Sequence, residues 1–247
     1  MYLSDLHIHT NYCDGADTPE EIVLEAIRKK MNKIGFSAHS YTYFDESYCI
    51  KKDKIQAYKD EIARLKEKYK DKIEILCGIE QDFYSNEHTD GYDYVIGSVH
   101  YLKICDEFIP IDLSADCLTN AVKKYYNGDF YKIAENYFST VSKIKNAQII
   151  GHFDLITKFN EGFCLFDESD ERYVNAYKNA LDTLLKQDVI FEINTGAISR
   201  GYKTEPYPSK NILDYIRKNG GKTVLSSDSH SKDTIMFGFD KFQNCIL

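Results

Sequence analysis

The sequence predicts an α/β fold in which parallel strands alternate with crossover helices and close into a barrel, as one domain over residues 1–247. Three observations predict it. Short β-like apolar runs alternate with longer helix-like stretches along the whole chain. The stretches without clear periodicity, 40–50, 81–93, 102–114, 154–167 and 195–208, each follow a predicted strand, which is where barrel enzymes build their sites. Finally, six of the seven histidines fall at or just after the end of a predicted strand.

The β-like runs cover 2–7, 34–38, 73–79, 94–99, 148–151, 189–193 and 223–225. The helical stretches cover 19–31, 51–69, 115–126, 131–145, 168–186 and 209–218. The first helix announces its start: Thr18 caps, Pro19 suits the first helical position and Glu21 completes a capping box. Ile22, Val23, Ala26 and Ile27 then form an apolar stripe. The fifth helix repeats this with Tyr173, Ala176, Tyr177, Ala180, Leu181, Leu184 and Leu185. Gly220-Gly221 stops the sixth. No linker, low-complexity segment or internal repeat interrupts the pattern, and none of the four prolines marks a boundary.

The 247 residues are 43% hydrophobic and 28% charged, which excludes a disordered chain and allows a full core without disulfide staples. Lys and Arg number 31 against 39 Asp and Glu, a net charge of −8, so non-specific nucleic-acid binding is not expected. No run of about 18 apolar residues predicts a membrane span. Met1-Tyr2-Leu3-Ser4-Asp5 lacks the basic and apolar regions of a signal peptide. Seven scattered cysteines, Cys13, Cys49, Cys77, Cys105, Cys117, Cys164 and Cys245, form no C-x-x-C pair. Free thiols and a cytoplasmic location are the expectation. No G-x-S-x-G, Walker A or G-x-G-x-x-G motif is present. The tyrosines read as packing residues.

The chemistry lies in the polar residues at strand ends. His7, His9, His39, His100, His152 and His230 all sit there, whereas His88 lies mid-loop. Glu80 ends the third strand and Asp228 the seventh. In a parallel barrel these ends share one face, so residues at opposite ends of the chain can meet in one pocket. His7 and His9, at i and i+2, face one side of a strand, which suits two ligands of one metal ion. Asp228 and His230 repeat that spacing, Asp14 follows in the first loop, and Glu80 offers a carboxylate able to bridge two metals. Asp5 and Asp154, each two residues from a histidine, are expected behind the ligands, with Glu192 and Asn194 lining the pocket.

Together, Asp5-Leu6-His7-Ile8-His9-Thr10, Ala38-His39-Ser40, Gly78-Ile79-Glu80, Gly97-Ser98-Val99-His100, Gly151-His152-Phe153-Asp154 and Ser227-Asp228-Ser229-His230 resemble the PHP (polymerase and histidinol phosphatase) family. These motifs span residues 5 to 230 in order. Within the family the chain is most similar to the monofunctional histidinol-phosphatase type, in length, in the run ending at His100 and in Glu192-Ile193-Asn194-Thr195 followed by Arg200. The resemblance implies a distorted (β/α)7 barrel, TIM-barrel-like, with its metal site at the C-terminal ends of the strands. It implies three divalent ions: one on His7, His9, Glu80 and Asp228, a second sharing Glu80 with His100 and His152, a third on Asp14, His39 and His230. The third site often carries His where this chain has Asp14. Imidazole and carboxylate ligands suit Zn, Mn or Fe.

The implied activity is hydrolysis of L-histidinol phosphate, a phosphate monoester, to L-histidinol and phosphate by a metal-bridging hydroxide. The alternative within the family is a phosphoesterase acting on nucleotides or another small phosphate ester. A non-catalytic relative would be expected to lose ligands, and here all nine positions are filled. Three divalent ions bring a charge of about +6, and three carboxylates with one hydroxide leave roughly +2 to face the roughly −2 of the phosphate. An acidic protein is thereby compatible with an anionic substrate. Asp228 or His230 is expected to manage the proton of the departing alkoxide. Of the five arginines, Arg200 alone lies in a loop after a strand, where its planar fork can grip phosphate, and Lys158 is a second candidate.

Overall fold

The structure is a computed structural model and describes residues 3–243; the calls on Met1, Tyr2 and Cys245 fall outside the described residues. In chain order the elements are β1 (Ser4–Asp5), α1 (Pro19–Arg28), β2 (Lys33–His39), α2 (Ile55–Tyr69), β3 (Glu74–Asp82), β4 (Tyr94–Ser98), β5 (Tyr101–Ile104), β6 (Glu107–Pro110), α3 (Ala115–Tyr126), α4 (Phe130–Val141), β7 (Ile149–Ile150), α5 (Asn160–Phe163), α6 (Glu171–Leu184), β8 (Ile190–Asn194), α7 (Gly196–Ser199), α8 (Lys210–Lys218), β9 (Lys222–Ser226) and α9 (Phe239–Phe242).

Seven strands pair in the order β1-β2-β3-β4-β7-β8-β9, every neighbouring pair parallel. The sheet curls until its ends meet beyond β1 and β9: Ile8 bridges Ser229, with His9 N donating to Ser229 O at 2.8 Å. Asp5 reinforces this seam, its Oδ1 accepting from Ser227 N at 3.1 Å. The result is a nearly closed barrel wrapped by helices, distorted because β1 and β7 are two residues each.

Each helix covers the barrel through the apolar stripe its sequence provides. In α1 the Thr18–Glu21 capping box forms, and Ile22, Val23 and Ala26 are buried against the first strands. In α6, Tyr173, Tyr177, Ala180, Leu181 and Leu184 pack with α4 and with Ile150 and Phe191 of the later strands. Gly220, at φ +75°, ends α8, and Gly221 N returns to Ile216 O. Tyr94 fills the barrel beneath the strand ends, donating to Leu6 O at 2.5 Å and approaching Phe36 O at 3.2 Å. Gly78 makes that possible, since a Cβ there would lie 2.2 Å from the Tyr94 ring.

The differences from the sequence reading have local causes. The stretch 102–114, read as aperiodic, holds the antiparallel hairpin β5–β6. Its turn carries Cys105 at φ +55° rather than an Asn-Gly or Asp-Gly signature, so no hairpin signal marks it. The helix read from Glu168 starts at Glu171, because Asp170 caps by accepting from Arg172 N. The helix read over 131–145 runs Phe130–Val141, capped by Asp129. The first strand is shorter than read, although its extended path continues to the Ile8 bridge. Among the described residues no helix is long and apolar enough to cross a membrane.

Candidate metal centre

The seven strands deliver their C-terminal ends to one face, and all nine residues singled out as ligands meet there. His7 and His9 leave β1 side by side, ring centroids 5.1 Å apart. Glu80, two residues before the end of β3, stands at the centre. Its Oε2 lies 3.2 Å from His7 Nε2, 3.6 Å from His9 Nε2 and 2.8 Å from His39 Nδ1. Its Oε1 lies 2.9 Å from His152 Nε2 and 3.4 Å from His100 Nε2. Asp228 Oδ1 is 3.3 Å from His9 Nε2 and 3.8 Å from His7 Nε2. On the outer side Asp14 Oδ2 is 3.2 Å from His230 Nε2 and 3.6 Å from His39 Nε2.

This arrangement fits metal ions. His7 Nε2, His9 Nε2 and Glu80 Oε2 are buried and make no hydrogen bond, yet they point at one another. Buried donors left so are costly unless something binds them. Donor atoms of His7, His9 and Glu80 lie within 4.8 Å of one another, as do those of His39, Glu80 and His100, and those of His9, Asp14, His39 and His230. Glu80 belongs to two of these three groups, and its carboxylate has an oxygen facing each.

Other residues hold these side chains in place. Glu192 Oε1 takes His7 Nδ1 at 2.7 Å, which turns Nε2 toward Glu80, and its Oε2 accepts from His152 N at 3.0 Å. Asn194 Nδ2 donates to Glu192 Oε2 at 3.1 Å and approaches Asp228 Oδ2 at 3.4 Å; expected in the pocket lining, this pair is instead fully buried behind His7, His152 and Asp228 and does not reach the cavity. The Cys13 sulfur lies 3.6 Å from His9 Nδ1. Asp5 accepts from His7 N at 3.4 Å and acts mainly on the seam. Asp154 turns away from His152 and accepts from Ser209 N at 2.9 Å. Asp82, which sequence reasoning missed, accepts from His100 N at 3.0 Å; its i+2 spacing from Glu80 is the signal that finds it.

The electrostatics follow from crowding charge in a dry place. Burial opposes a charge on Glu80, but His7, His39 and His100 overcome it and hold the carboxyl well below its usual range. Burial likewise opposes Asp228, and Arg200 with His7 and His9 holds it ionised. Burial and the neighbouring His230 and His39 push His9 down to about 3, leaving a neutral ring with a lone pair to donate. Asp228 sits at φ +49°, a left-handed conformation that Asp tolerates better than most residues and that concentrates at functional sites.

Above the centre opens a cavity of about 390 Å³. Asp14, His39, His100, His152, Asp228 and His230 form its floor, and Arg200 and Lys158 reach its side. Arg200 donates to Asp228 Oδ2 at 3.0 Å and to Asp228 O at 2.9 Å, and lies 3.2 Å from His230 Nδ1. Gly196 leaves room for this fork, since a Cβ there would lie 2.8 Å from both partners. Lys158 donates to Asp112 O at 2.7 Å. Tyr48, Tyr101 and Tyr202 line the walls, a role that reading the tyrosines as packing residues missed.

Comparison with known proteins agrees with this geometry. A Schizosaccharomyces pombe protein that carries the name probable histidinol-phosphatase is 29% identical over 240 residues, 85% of this chain and 74% of that protein. The structure of a candidate histidinol phosphatase from Listeria monocytogenes superposes with a TM-score of 0.85 at 24% identity, covering 97% of this chain and 99% of that one. The Lactococcus lactis histidinol phosphate phosphatase, solved with zinc, L-histidinol and phosphate, gives 0.74 at 23% identity over 99% and 92%. The PHP domain profile matches residues 5–196, most of the barrel and seven of the nine converging side chains, and the chain belongs to the PHP domain family.

Proposed function

We propose that this chain is a cytosolic, metal-dependent phosphomonoesterase that hydrolyses L-histidinol phosphate to L-histidinol and phosphate, working as one barrel domain over 1–247. The observation that carries the reading is the set of buried, unpartnered donors of His7, His9 and Glu80 beneath a cavity flanked by Arg200 and Lys158. The names of the relatives, and the zinc, histidinol and phosphate bound in the Lactococcus lactis structure, support the substrate.

Three divalent ions would be held by His7, His9, Glu80 and Asp228, by Glu80, His100 and His152, and by Asp14, His39 and His230. When bound, such ions lower the pKa of water toward neutrality and offset the charge of the phosphoryl oxygens. Arg200 and Lys158 bind the phosphate from the cavity side and orient the phosphorus for in-line attack. The proton released by the attacking water passes to the departing alkoxide oxygen through Asp228 or His230, which stand 3.7 Å apart.

The deciding experiment compares kcat/KM for L-histidinol phosphate with nucleoside monophosphates and a phosphodiester on metal-loaded protein. The expected preference is about 10³ or more, some 4 kcal/mol in transition-state binding. Equal or faster turnover of nucleotides would move the protein to a nucleotide phosphatase. Arg200→Ala is expected to raise KM about tenfold or more; unchanged kinetics would remove Arg200 from the site.

A further inference from the structure

Lys203 is a lysine in an unusual place. It is 8% exposed, yet it lies outside the lining of the cavity. A buried ammonium is costly without compensating partners. Among the described residues its one side-chain hydrogen bond goes to the Thr157 hydroxyl oxygen at 3.2 Å; its Nζ stands 5.4 Å from the centre of the Tyr207 ring, and the buried Asp154 carboxyl attracts its charge. The Thr157 hydroxyl donates in turn to Asp154 O at 2.9 Å. The ammonium is therefore the end of a short polar chain that enters the turn Leu155–Thr157.

The two segments it joins are those that carry the cavity's cations. Lys158 directly follows Thr157. Arg200 lies three residues before Lys203, and between them Gly201 turns the chain at φ +74°. Tyr202 spans the gap, with Lys158 Nζ 4.9 Å from its ring centre and the Phe159 ring 5.7 Å away. Thr204 N donates to Glu161 Oε2 at 2.8 Å, a second stitch between the same segments. That stitch is exposed, whereas the Lys203 stitch is dry.

Resting on the phosphate roles proposed for Arg200 and Lys158, we infer that Lys203 is a positioning residue: its buried ammonium, bonded to Thr157, pins the 200–203 loop and sets Arg200 and Lys158 at a fixed separation beside the cavity. Lys203 touches no substrate. It acts on phosphate binding through the two cations.

The test uses the full-length, metal-loaded protein and inorganic phosphate as a competitive inhibitor of phosphate-monoester turnover. Lys203→Met keeps most of the unbranched side chain and removes its ammonium, and with it the charge and the donor. It is expected to raise KM and the phosphate Ki about tenfold while kcat stays within about threefold. Lys203→Arg, which retains a donor, is expected to recover most of the loss. In an Arg200→Ala background the further effect of Lys203→Met is expected to shrink to under about twofold, because the residue it positions is gone.

Unmoved KM and Ki in Lys203→Met overturn the inference, as does a loss confined to kcat, or a tenfold effect that persists without Arg200. If Arg200→Ala itself leaves the phosphate Ki unchanged, the phosphate reading fails instead, so the two failures are told apart. Should Lys203→Met not fold, as judged by its melting curve, Thr157→Val keeps the lysine and removes the hydroxyl that accepts from it and donates to Asp154 O. A rise of about threefold in Ki is then expected, and no rise overturns the inference.

Discussion

Glu80 and Glu20 have the same side chain and opposite circumstances. Glu80 stands at the barrel's strand ends, fully enclosed, with five histidines around it. Glu20 opens α1 on the outer shell, where Arg64 donates to it at 2.8 Å, Tyr69 at 2.7 Å, and Lys68 also pairs with it. Both carboxyls are held below their usual range. For Glu80 histidine charge overcomes burial; for Glu20 the cause is hydrogen bonding from Lys68, Tyr69 and Arg64. At Glu20 the shell pairs its charges and gains little from each, because water screens them. The centre leaves donors unpaired in a dry place, a cost that makes sense when cations are to bind.

Substitutions graded from the centre outward test that contrast. Glu80→Gln should bring the largest loss, about 10³-fold or more in kcat/KM, with metal content measured by mass spectrometry falling in parallel. A variant that keeps both full metal content and activity would break the comparison. Glu192→Gln leaves the ligands in place but weakens the grip on His7 Nδ1. A loss of about 10- to 100-fold in metal affinity is expected from titration against a competing chelator.

On the shell, Thr18→Ala removes the cap of α1 and should cost about 1 kcal/mol in chemical denaturation, with turnover unchanged. The smallest effect concerns acid. The Glu20 carboxyl has a folded value of about 2 against an ordinary 4.5, so its contribution is complete above 4.5 and fades as pH falls toward 2. Glu20→Gln should therefore lower the melting temperature at neutral pH by about 1–2 °C and narrow its gap to the unmodified protein in acid. A gap that widens in acid would contradict the assignment.

The same contrast explains what could be read from the residues alone. A side chain at the end of a parallel strand has its direction set by the period of two, so His7, His9, Glu80 and Asp228 could be placed without coordinates, whereas Asp14, in a turn, drew its candidacy only from its neighbours His7 and His9. Asp82 obeyed the same rule and was overlooked. The hairpin β5–β6 and the short helices α5 and α7 were not legible, because segments of four residues carry too little periodicity and their turns rest on contacts distant in sequence. The cavity wall shares that property. Tyr48 and Tyr202 come from two different loops and Tyr101 from the start of β5, and nothing in their neighbourhoods distinguishes them from the packed Tyr58 or Tyr137.

The seam at Ile8 and Ser229 has a consequence for biosynthesis. Asp228 and His230 leave the ribosome more than two hundred residues after His7 and His9. At about 5–20 residues per second the early pair waits on the order of ten seconds or more for its partners. Throughout that interval two of the imidazoles proposed as metal ligands stand side by side without Asp228 and His230, and closure of the barrel and completion of the proposed ligand set become one late event.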